Sequence, residues 1–253
     1  MISKSQIKLV RSLEQKKHRQ TEGLFVAEGP KVVGDLLAAH FCPRIIFAVD
    51  GGERWNQPED IPVQTVTEEE LRRLSFLQHP QQVLAVFEMP AQEMPSALPH
   101  PSPSTPHLHI ALDGVQDPGN LGTIIRVADW FGISAIYCSR DTADAWSPKV
   151  VQATMGSIAR VKIAYCDLQQ LLRQANVPVY GTLLDGNDIY TQQLSQEGII
   201  VMGNEGNGIS GPIRRLVTHR LLIPRFHEGP ESLNVAIATA VVCSEFRRRV
   251  KSE

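Results

Sequence analysis

The chain has 253 residues, of which 42% are hydrophobic and 21% are charged, and its net charge at pH 7 is −2. These values are ordinary for a globular protein with one large domain or two modest ones, and the small net charge excludes a chain that binds nucleic acid through its overall charge. No apolar run approaches the roughly 20 residues that a membrane span requires, and the first residues lack the pattern of a signal peptide, so we expect a cytoplasmic protein.

The first 90 residues alternate predicted helices and strands. The apolar spacing indicates an amphipathic helix over 4–19, a helix that opens at Gly29-Pro30 and a third helix that begins at Glu68. Short apolar runs predict strands at 24–27, 44–49, 63–66 and 83–88. This alternation predicts a small α/β domain over residues 1–90.

Residues 91–107 are rich in proline, with serine and threonine between the prolines. A stretch of this composition cannot form a packed core and favours an extended, semi-rigid linker. We therefore place the domain boundary here and expect a second domain over residues 108–253.

The second domain shows a regular alternation of apolar strands and helices. The predicted strands are 108–113, 133–138, 161–165, 177–184, 199–203 and 219–224. The predicted helices are 120–131, 147–156, 167–176, 210–217 and 234–249. Continuous apolar strands separated by helices predict an α/β fold with a doubly wound parallel sheet that is buried on both faces.

Three stretches of the second domain run from a strand through a polar turn into a helix. They are Asp117-Pro-Gly-Asn-Leu-Gly-Thr-Ile-Ile-Arg126, Gly203-Asn-Glu-Gly-Asn-Gly208 and Ser232-Leu-Asn-Val235. The first lacks the Lys-Ser/Thr of a phosphate-binding Walker loop and the third glycine of a Rossmann fingerprint. Since the carboxyl ends of parallel strands meet at one edge of a sheet, three such turns predict a ligand site at that edge.

In this order and spacing, the three stretches resemble the motifs of the SpoU/TrmH family of RNA ribose 2′-O-methyltransferases. The motifs are Asn-x-Gly-x-x-x-Arg, Gly-Asn-Glu-Gly-x-Gly and Ile-Pro followed by Ser-Leu-Asn-Val, and they cover the chain from about residue 108 to its end. The stretch Phe25-Val-Ala-Glu-Gly-Pro-Lys31 is similar to the substrate-binding domain of many members. The resemblance implies a parallel-sheet domain with a deep trefoil knot (the SPOUT fold) and an L30e-like N-terminal domain. It also implies a homodimer that uses S-adenosylmethionine and no metal.

The family resemblance places Arg126 at the ribose 2′-hydroxyl, where the alternative is a salt bridge at a surface or interface. Because a guanidinium stays protonated, we expect Arg126 to stabilise the developing alkoxide and to fix a phosphate rather than to act as a free base. Asn120 is expected to orient Arg126 or the ribose, and Glu205 to bond Asn120 or the mouth of the last helix. Ser232 and Asn234 would complete this polar floor, and either of them can cap the last helix.

The resemblance also implies that backbone groups at Gly203, Ile223 and Leu233 hold S-adenosylmethionine. The loop 225–231 has seven residues where the family pattern has six, and Arg225 stands where a methionine is usual.

No metal site is predicted from the sequence. The histidines His107, His109 and His227 have no carboxylate or cysteine at metal-ligand spacing. The four cysteines are widely scattered, which fits buried thiols in a reducing compartment.

If the substrate is RNA, basic residues of the first domain become candidate phosphate contacts, although a solvated charged face explains them equally well. These residues are Lys4, Lys8, Lys16, Lys17, Arg19 and Lys31. By analogy, the separate N-terminal domain favours ribosomal RNA over transfer RNA. One alternative is an RNA-binding or ribosome-assembly protein without catalysis, which a failure to bind S-adenosylmethionine would indicate. The other is a nucleotide-using hydrolase, which would need a catalytic carboxylate and a metal.

Overall fold

The computed structural model of the protein describes residues 1–50, 61–91, 107–133, 135–227 and 232–248. The chain divides into two compact units. Unit 1 is Met1–Ala91 together with Asp144–Arg160, and unit 2 is Gln92–Ala143 together with Val161–Glu253. The proline-rich linker predicted at 91–107 lies outside the described residues, except for its first and last positions.

With one exception at the N-terminus, helices and strands follow the order that the sequence predicts. In residues 1–91 they are α1 (Lys4–Ser12), α2 (Lys16–Glu22), β1 (Leu24–Glu28), α3 (Pro30–Ala38), β2 (Pro43–Val49), β3 (Val63–Val66), α4 (Glu68–Leu74) and β4 (Val83–Glu88). In residues 107–248 they are β5 (Leu108–Asp113), α5 (Pro118–Trp130), β6 (Ala135–Cys138), α6 (Pro148–Ala153), β7 (Lys162–Tyr165), α7 (Leu168–Arg173), β8 (Val179–Asp188), β9 (Gly198–Gly203), α8 (Gly211–Arg214), β10 (His219–Leu222) and α9 (Val235–Arg248). A short 3-10 helix, Ser157–Ala159, follows α6.

Unit 1 is built on a four-stranded mixed sheet with the strand order β1-β4-β2-β3. β4 is antiparallel to β1 and to β2, whereas β2 is parallel to β3. The helices α1 and α4 pack together, and Val10, Leu13 and Leu74 join Phe47 in the apolar core. Because the strands contribute buried apolar side chains to this core, the apolar runs of the first 90 residues predicted them correctly.

The helix predicted over 4–19 is two helices, so this prediction was wrong. The chain leaves α1 at Leu13, and α2 begins after Gln15. The guanidinium Nη1 of Arg19 donates to the carbonyl oxygens of Leu13 (2.6 Å) and Glu14 (2.7 Å). Carbonyls at a helix end lack helical partners, so Arg19 stabilises a break that hydrophobic periodicity does not reveal.

The segment Asp144–Arg160 belongs to unit 1, although the sequence predicted it within the second domain. Its Trp146 is 5% exposed, and the Trp146 ring lies 4.7 Å from the ring centroid of Phe25 and 6.2 Å from that of Phe41. Its Asp144 carboxylate pairs with Nη2 of the buried Arg19. A buried aromatic cluster and a buried ion pair therefore fasten this segment within unit 1.

Unit 2 is built on a six-stranded sheet with the order β10-β8-β9-β5-β6-β7, and all its strand pairs are parallel. The predicted parallel sheet is confirmed. β9 is buried at every position, as expected for a central strand that helices cover on both faces. No helix in the described ranges is long and apolar enough to cross a membrane.

Candidate active site

The three polar turns predicted from the sequence follow the carboxyl ends of three strands of unit 2. β5 leads to the turn before Asn120, β9 leads to the turn that holds Glu205, and β10 precedes the segment that ends at Asn234. In the sheet, β6 and β7 lie on one side of β5, and the later strands β8, β9 and β10 lie on its other side. The direction of strand addition thus reverses between β5 and β9, and such a reversal opens a crevice at the carboxyl edge of the sheet.

A chain of hydrogen bonds, which we call the polar relay, joins Asn234, Asn120 and Glu205. Asn234 Nδ2 donates to Asn120 Oδ1 at 2.8 Å, and Asn120 Nδ2 donates to Glu205 Oε1 at 3.0 Å. Asn234 Oδ1 accepts the backbone N–H groups of Ala236 (2.9 Å) and Ile237 (3.2 Å). Because this N-cap uses the oxygen of Asn234, the Asn234 amide nitrogen faces Asn120, and the direction of the whole relay follows.

Glu205 ends the relay and also binds the loop before α5. Its carboxylate accepts the backbone N–H groups of Gln116 (3.4 Å) and Asp117 (3.3 Å). Partial burial raises the pKa of Glu205, but the hydrogen bonds from Asn120 and from the backbone outweigh that effect and leave the pKa below its usual value. Glu205 is therefore ionised at neutral pH and acts in this structure as an acceptor.

Arg126 is exposed on α5 and, within the described residues, makes no hydrogen bond or ion pair. The alternative of a surface salt bridge within the chain is therefore not found among the described residues. Asn120 is bonded to Asn234 and Glu205, and no hydrogen bond joins it to Arg126 within the described residues. That Asn120 orients Arg126 or the ribose stays a prediction. An exposed, unpaired guanidinium is available to an anionic ligand.

The remaining predicted residues do not join the relay within the described residues. Ser232 is exposed and makes no hydrogen bond within the described ranges, so Asn234 is the residue that caps α9. Ile223 follows β10 and is half-buried, whereas Leu233 is 52% exposed. The last residues of the loop predicted at 225–231 lie outside the described part of the chain.

Asn204 has a structural role in the site that the sequence interpretation missed. Its Oδ1 accepts the N–H groups of Gly206 and Asn207, both at 3.0 Å, and its Nδ2 donates to the carbonyl of Gly114 at 2.7 Å. A Cβ on Gly203 would lie 2.2 Å from the carbonyl carbon of Gly208, so only glycine fits at the end of β9. An asparagine directly after a strand and before two glycines is a turn signal that could have identified this role.

The basic residues of unit 1 that the sequence grouped as candidate phosphate contacts differ in exposure and in bonding. Lys4, Lys8 and Lys17 are exposed, and Lys16 is exposed as well. Lys31 is exposed, but its Nζ donates to the Asp35 carboxylate (3.0 Å) and to the carbonyl of Met155 (2.8 Å).

Arg19 requires a correction. It is 2% exposed, and its guanidinium is bonded to two carbonyls and to Asp144. A guanidinium held in this way is not available to an RNA phosphate, so Arg19 is a structural residue of unit 1.

Within the described ranges, no group of three or more His, Cys, Asp or Glu side chains is arranged to hold a metal ion. His109 is buried in β5, and its ring contacts those of His107 and Tyr137. Burial, with a smaller effect of His107, lowers the pKa of His109 to about 4. Cys138, Cys166 and Cys243 are buried thiols, and burial raises the pKa of each.

Comparison with known proteins links this geometry to a family. Residues 107–244 match the SpoU rRNA Methylase family, which is more than half of the chain, and residues 4–85 match the MRM3-like substrate binding domain. The 23S rRNA (guanosine(2553)-2′-O)-methyltransferase RlmP of Bacillus subtilis is 29% identical over 94% of this chain and 94% of that protein. A TrmH-family structure from Porphyromonas gingivalis is 42% identical with a TM-score of 0.87, and it covers 99% of this chain and 100% of its own. An AdoMet-bound rRNA methyltransferase from Sinorhizobium meliloti is 33% identical with a TM-score of 0.86, over 100% of this chain and 97% of that one.

Proposed function

This chain belongs to the SpoU rRNA Methylase family, and from that premise we propose that it transfers a methyl group from S-adenosylmethionine to a ribose 2′-hydroxyl of ribosomal RNA. The observation that carries the proposal is the polar relay, which joins one residue from each of the three family motifs. The unpaired Arg126 follows Asn120 on the same helix, α5. The relatives that match the chain along nearly its whole length include rRNA methyltransferases, one of them with AdoMet bound.

The crevice has the chemistry that S-adenosylmethionine requires. The cofactor supplies an activated methyl on a sulfonium, so the site needs neither a metal nor a covalent intermediate on the protein. Gly203, Ile223 and Leu233 would hold it through backbone groups, and the apolar side chains of the last two suit a purine. A Cβ placed on Gly208 would meet no atom within 4 Å, so the turn after β9 leaves open space for a ligand.

Arg126 acts on the RNA in this proposal. Its guanidinium holds a phosphate of the substrate and stabilises the negative charge that develops on the 2′-oxygen. It remains protonated throughout, so the proton of the hydroxyl leaves through another acceptor or through water. The exposed position of Arg126 allows both contacts.

The relay positions the RNA-facing groups rather than exchanging protons. Glu205 fixes the amide of Asn120, and Asn234 fixes it from the other side, so Asn120 has one orientation in the crevice. Ser232, exposed beside Asn234, supplies a hydroxyl that can donate to the ribose or accept from it. Preorganised donors of this kind avoid reorganisation during the reaction.

We place the RNA-binding function of the chain partly in unit 1. The match of residues 4–85 to a substrate binding domain supports this assignment, as do the exposed lysines on α1 and α2. The proposed phosphate contacts are Lys4, Lys8, Lys16, Lys17 and Lys31. Ribosomal RNA is preferred over transfer RNA because the relatives that cover most of the chain are rRNA enzymes.

We also propose that the protein works as a homodimer. Trp130 on α5 is 85% exposed and Ile237 on α9 is 54% exposed, and these two helices pack against each other. Two large apolar side chains on neighbouring helices are best explained by a second copy that covers them. We further propose the trefoil knot of the family for unit 2, an L30e-like fold for unit 1 and a cytoplasmic location, where ribosomal RNA is modified.

The test is calorimetric titration of S-adenosylmethionine, followed by a methyl-transfer assay with tritiated cofactor and unmodified rRNA transcripts. We expect binding at micromolar concentration or tighter, and a radioactive 2′-O-methylnucleoside after nuclease digestion of the RNA. The Arg126→Ala variant serves as the inactive control. If the protein binds RNA but not the cofactor, it is a non-catalytic RNA-binding or ribosome-assembly protein. If it methylates only transfer RNA, the proposed substrate is wrong.

A further inference from the structure

The loop between α4 and β4, residues 75–82, presents polar side chains that have no structural task. Gln78, His79 and Gln81 are exposed, and none of their side chains makes a hydrogen bond within the described residues, although the backbone carbonyl of Gln81 accepts the N–H of Val83. This loop is in unit 1, and the match to the substrate binding domain extends through it to residue 85. None of the three residues belongs to the site in unit 2.

The first half of the loop is held by a buried carboxylate. Glu28, at the end of β1, is 5% exposed and accepts the hydroxyl of Ser75 and the backbone N–H of Phe76, the latter at 2.8 Å. The Ser75 Oγ in turn accepts the N–H of Leu77 at 3.0 Å. Glu28 therefore stabilises a turn of the backbone immediately before the exposed residues.

Arg11 holds the same turn from the side of α1. Its Nη1 donates to the carbonyl of Ser75 at 2.6 Å, and its guanidinium lies 4.9 Å from the ring centroid of Phe76. Arg11 remains exposed at the surface while it makes these contacts. The turn is thus fixed on two sides, and a guanidinium stands beside it.

The second half of the loop is held where it enters β4. The N–H of Gly29 donates to the carbonyl of Val83 at 2.8 Å, and the N–H of Val49 donates to the carbonyl of Gln82 at 2.9 Å. A Cβ on Gly29 would lie 2.6 Å from Oε1 of Gln81, so glycine allows the close approach of this side chain. With both ends fixed, the exposed residues between them are preorganised.

Exposed arginines flank the loop, whereas Glu28, the carboxylate that contacts it, is buried. Arg72 and Arg73, in the last turn of α4, are exposed and make no hydrogen bond or ion pair within the described part of the chain. The sequence contains no Asp or Glu from residue 71 to residue 87. The acidic residues of α4 stand in its first turn, where Glu70 is one helical turn from Arg73. Backbone hydrogen bonds do most to lower the pKa of Glu70, and Arg73 is the smallest of the influences that lower it. Together with Arg11, these arginines favour an anionic partner.

We propose that the loop 75–82 is a base-reading element for unpaired nucleotides of the RNA substrate, flanked by arginines that contact its phosphates. The side-chain amides of Gln78 and Gln81 each offer a donor and an acceptor, which is the pattern that hydrogen-bonds the edges of bases. The imidazole of His79 stacks on an exposed base. An acidic protein would satisfy the arginines but would leave the preorganised amides without a purpose. This inference rests on the proposed methyl transfer to RNA.

The test uses the full-length variant Gln78→Ala/Gln81→Ala with unmodified Bacillus subtilis 23S and 16S rRNA transcripts and tritiated S-adenosylmethionine. The matched control is Gln193→Ala/Gln196→Ala, which removes two exposed glutamines with the same spacing in unit 2. We expect the KM for RNA of the loop variant to rise about tenfold or more, with kcat within about twofold of wild type. S-adenosylmethionine affinity and Tm are expected to be unchanged, and the control should behave as wild type.

Two outcomes overturn the inference in distinguishable ways. If wild type methylates a transcript and the loop variant has the KM of the control, the base-reading role is wrong and the proposed function stands. If wild type methylates neither rRNA transcript, the proposed function fails and this inference fails with it. A rise in KM that the control variant shares would also contradict a specific role for the loop.

Discussion

Arg19 in unit 1 and Arg126 in unit 2 are both helical arginines in stretches with functional signals, yet the structure uses them in opposite ways. Arg19 is 2% exposed and bonded to two carbonyls and a carboxylate. Arg126 is exposed and has no partner within the described residues. A buried guanidinium needs compensating partners, because an uncompensated charge in the interior is very unfavourable. In Arg19 both terminal nitrogens have such partners, whereas Nε has none in the described residues. An exposed guanidinium can remain unpaired, and Arg126 is therefore available to a substrate.

The two sheets show the same difference between buried structural polar groups and exposed functional ones. The mixed sheet of unit 1 encloses polar groups that close turns, such as Glu28 with Ser75. The parallel sheet of unit 2 brings three polar turns to one edge, where the relay remains at the surface. All-parallel strands place every carboxyl end on one side, so the topology itself concentrates functional groups there.

The largest expected effect is on Arg126. Arg126→Ala should lower kcat about a thousandfold or more, because it removes charge stabilisation at the reacting oxygen, whereas Arg126→Lys should keep partial activity. S-adenosylmethionine binding should be unchanged in both variants. Arg173→Ala, an exposed arginine on α7, is the control. Equal losses in the Ala and Lys variants with intact RNA binding would instead indicate a proton acceptor that depends on geometry.

The next effect tests which unit the segment Asp144–Arg160 stabilises. Trp146→Ala should lower the free energy of unfolding of unit 1 by about 3–5 kcal/mol, because it empties the space beside Phe25 and Phe41. Hydrogen exchange should accelerate in β1 and β4. The exposed Trp130, changed in the same way, should leave exchange in unit 1 unaltered. Loss of protection confined to β5 and β9 would assign the segment to unit 2.

A smaller effect is expected within the relay. Glu205→Gln should lower kcat about a hundredfold, because an amide in place of the carboxylate no longer fixes Asn120 in one orientation. If Glu205 acts through Asn120, the variant Glu205→Gln/Asn120→Ala should be no less active than Asn120→Ala alone. Multiplicative losses in kcat would show that the two residues act independently.

The smallest effect concerns His109 in the centre of unit 2. Its pKa of about 4 in the folded chain is below the ordinary value of 6.5, so the unfolded chain binds more protons between these values. The stabilisation is complete above pH 6.5 and is lost as the pH falls toward 4. His109 should therefore account for a loss of about 2 kcal/mol between pH 7 and pH 5.

Urea unfolding at pH 7 and at pH 5 measures this pH-dependent change in the free energy of unfolding. His109→Phe keeps an aromatic ring against Tyr137 and loses no hydrogen bond at Nδ1, which is buried without a partner in the described ranges. Its stability should fall by about 2 kcal/mol less than that of wild type between pH 7 and pH 5. The same pH dependence in both proteins would show that His109 does not titrate in this way.

Much of the local structure could be predicted because local chemistry determines it. The strand predicted at 108–113 coincides with β5, since Leu108 and the run Ile110-Ala-Leu112 form a mostly apolar segment. The helix predicted from residue 147 begins at Pro148, with Ser147 as its cap. The strand predicted at 177–184 continues to Asp188, however, because β10 pairs with it beyond a register shift and overrides the turn composition of residues 185–188.

The sequence by itself determined the parallel sheet and the three polar turns, since periodicity, glycine spacing and caps act within a few residues. The sequence motifs also identified Asn120, Glu205 and Asn234 as members of one site, although the hydrogen bonds among them were not predictable. Only the tertiary structure decided that Arg19 is buried and Arg126 exposed, and that residues 144–160 pack in unit 1. The burial of a side chain depends on partners that are distant in the sequence, as Asp144 is from Arg19. The residues next to a side chain in the sequence therefore do not predict its burial.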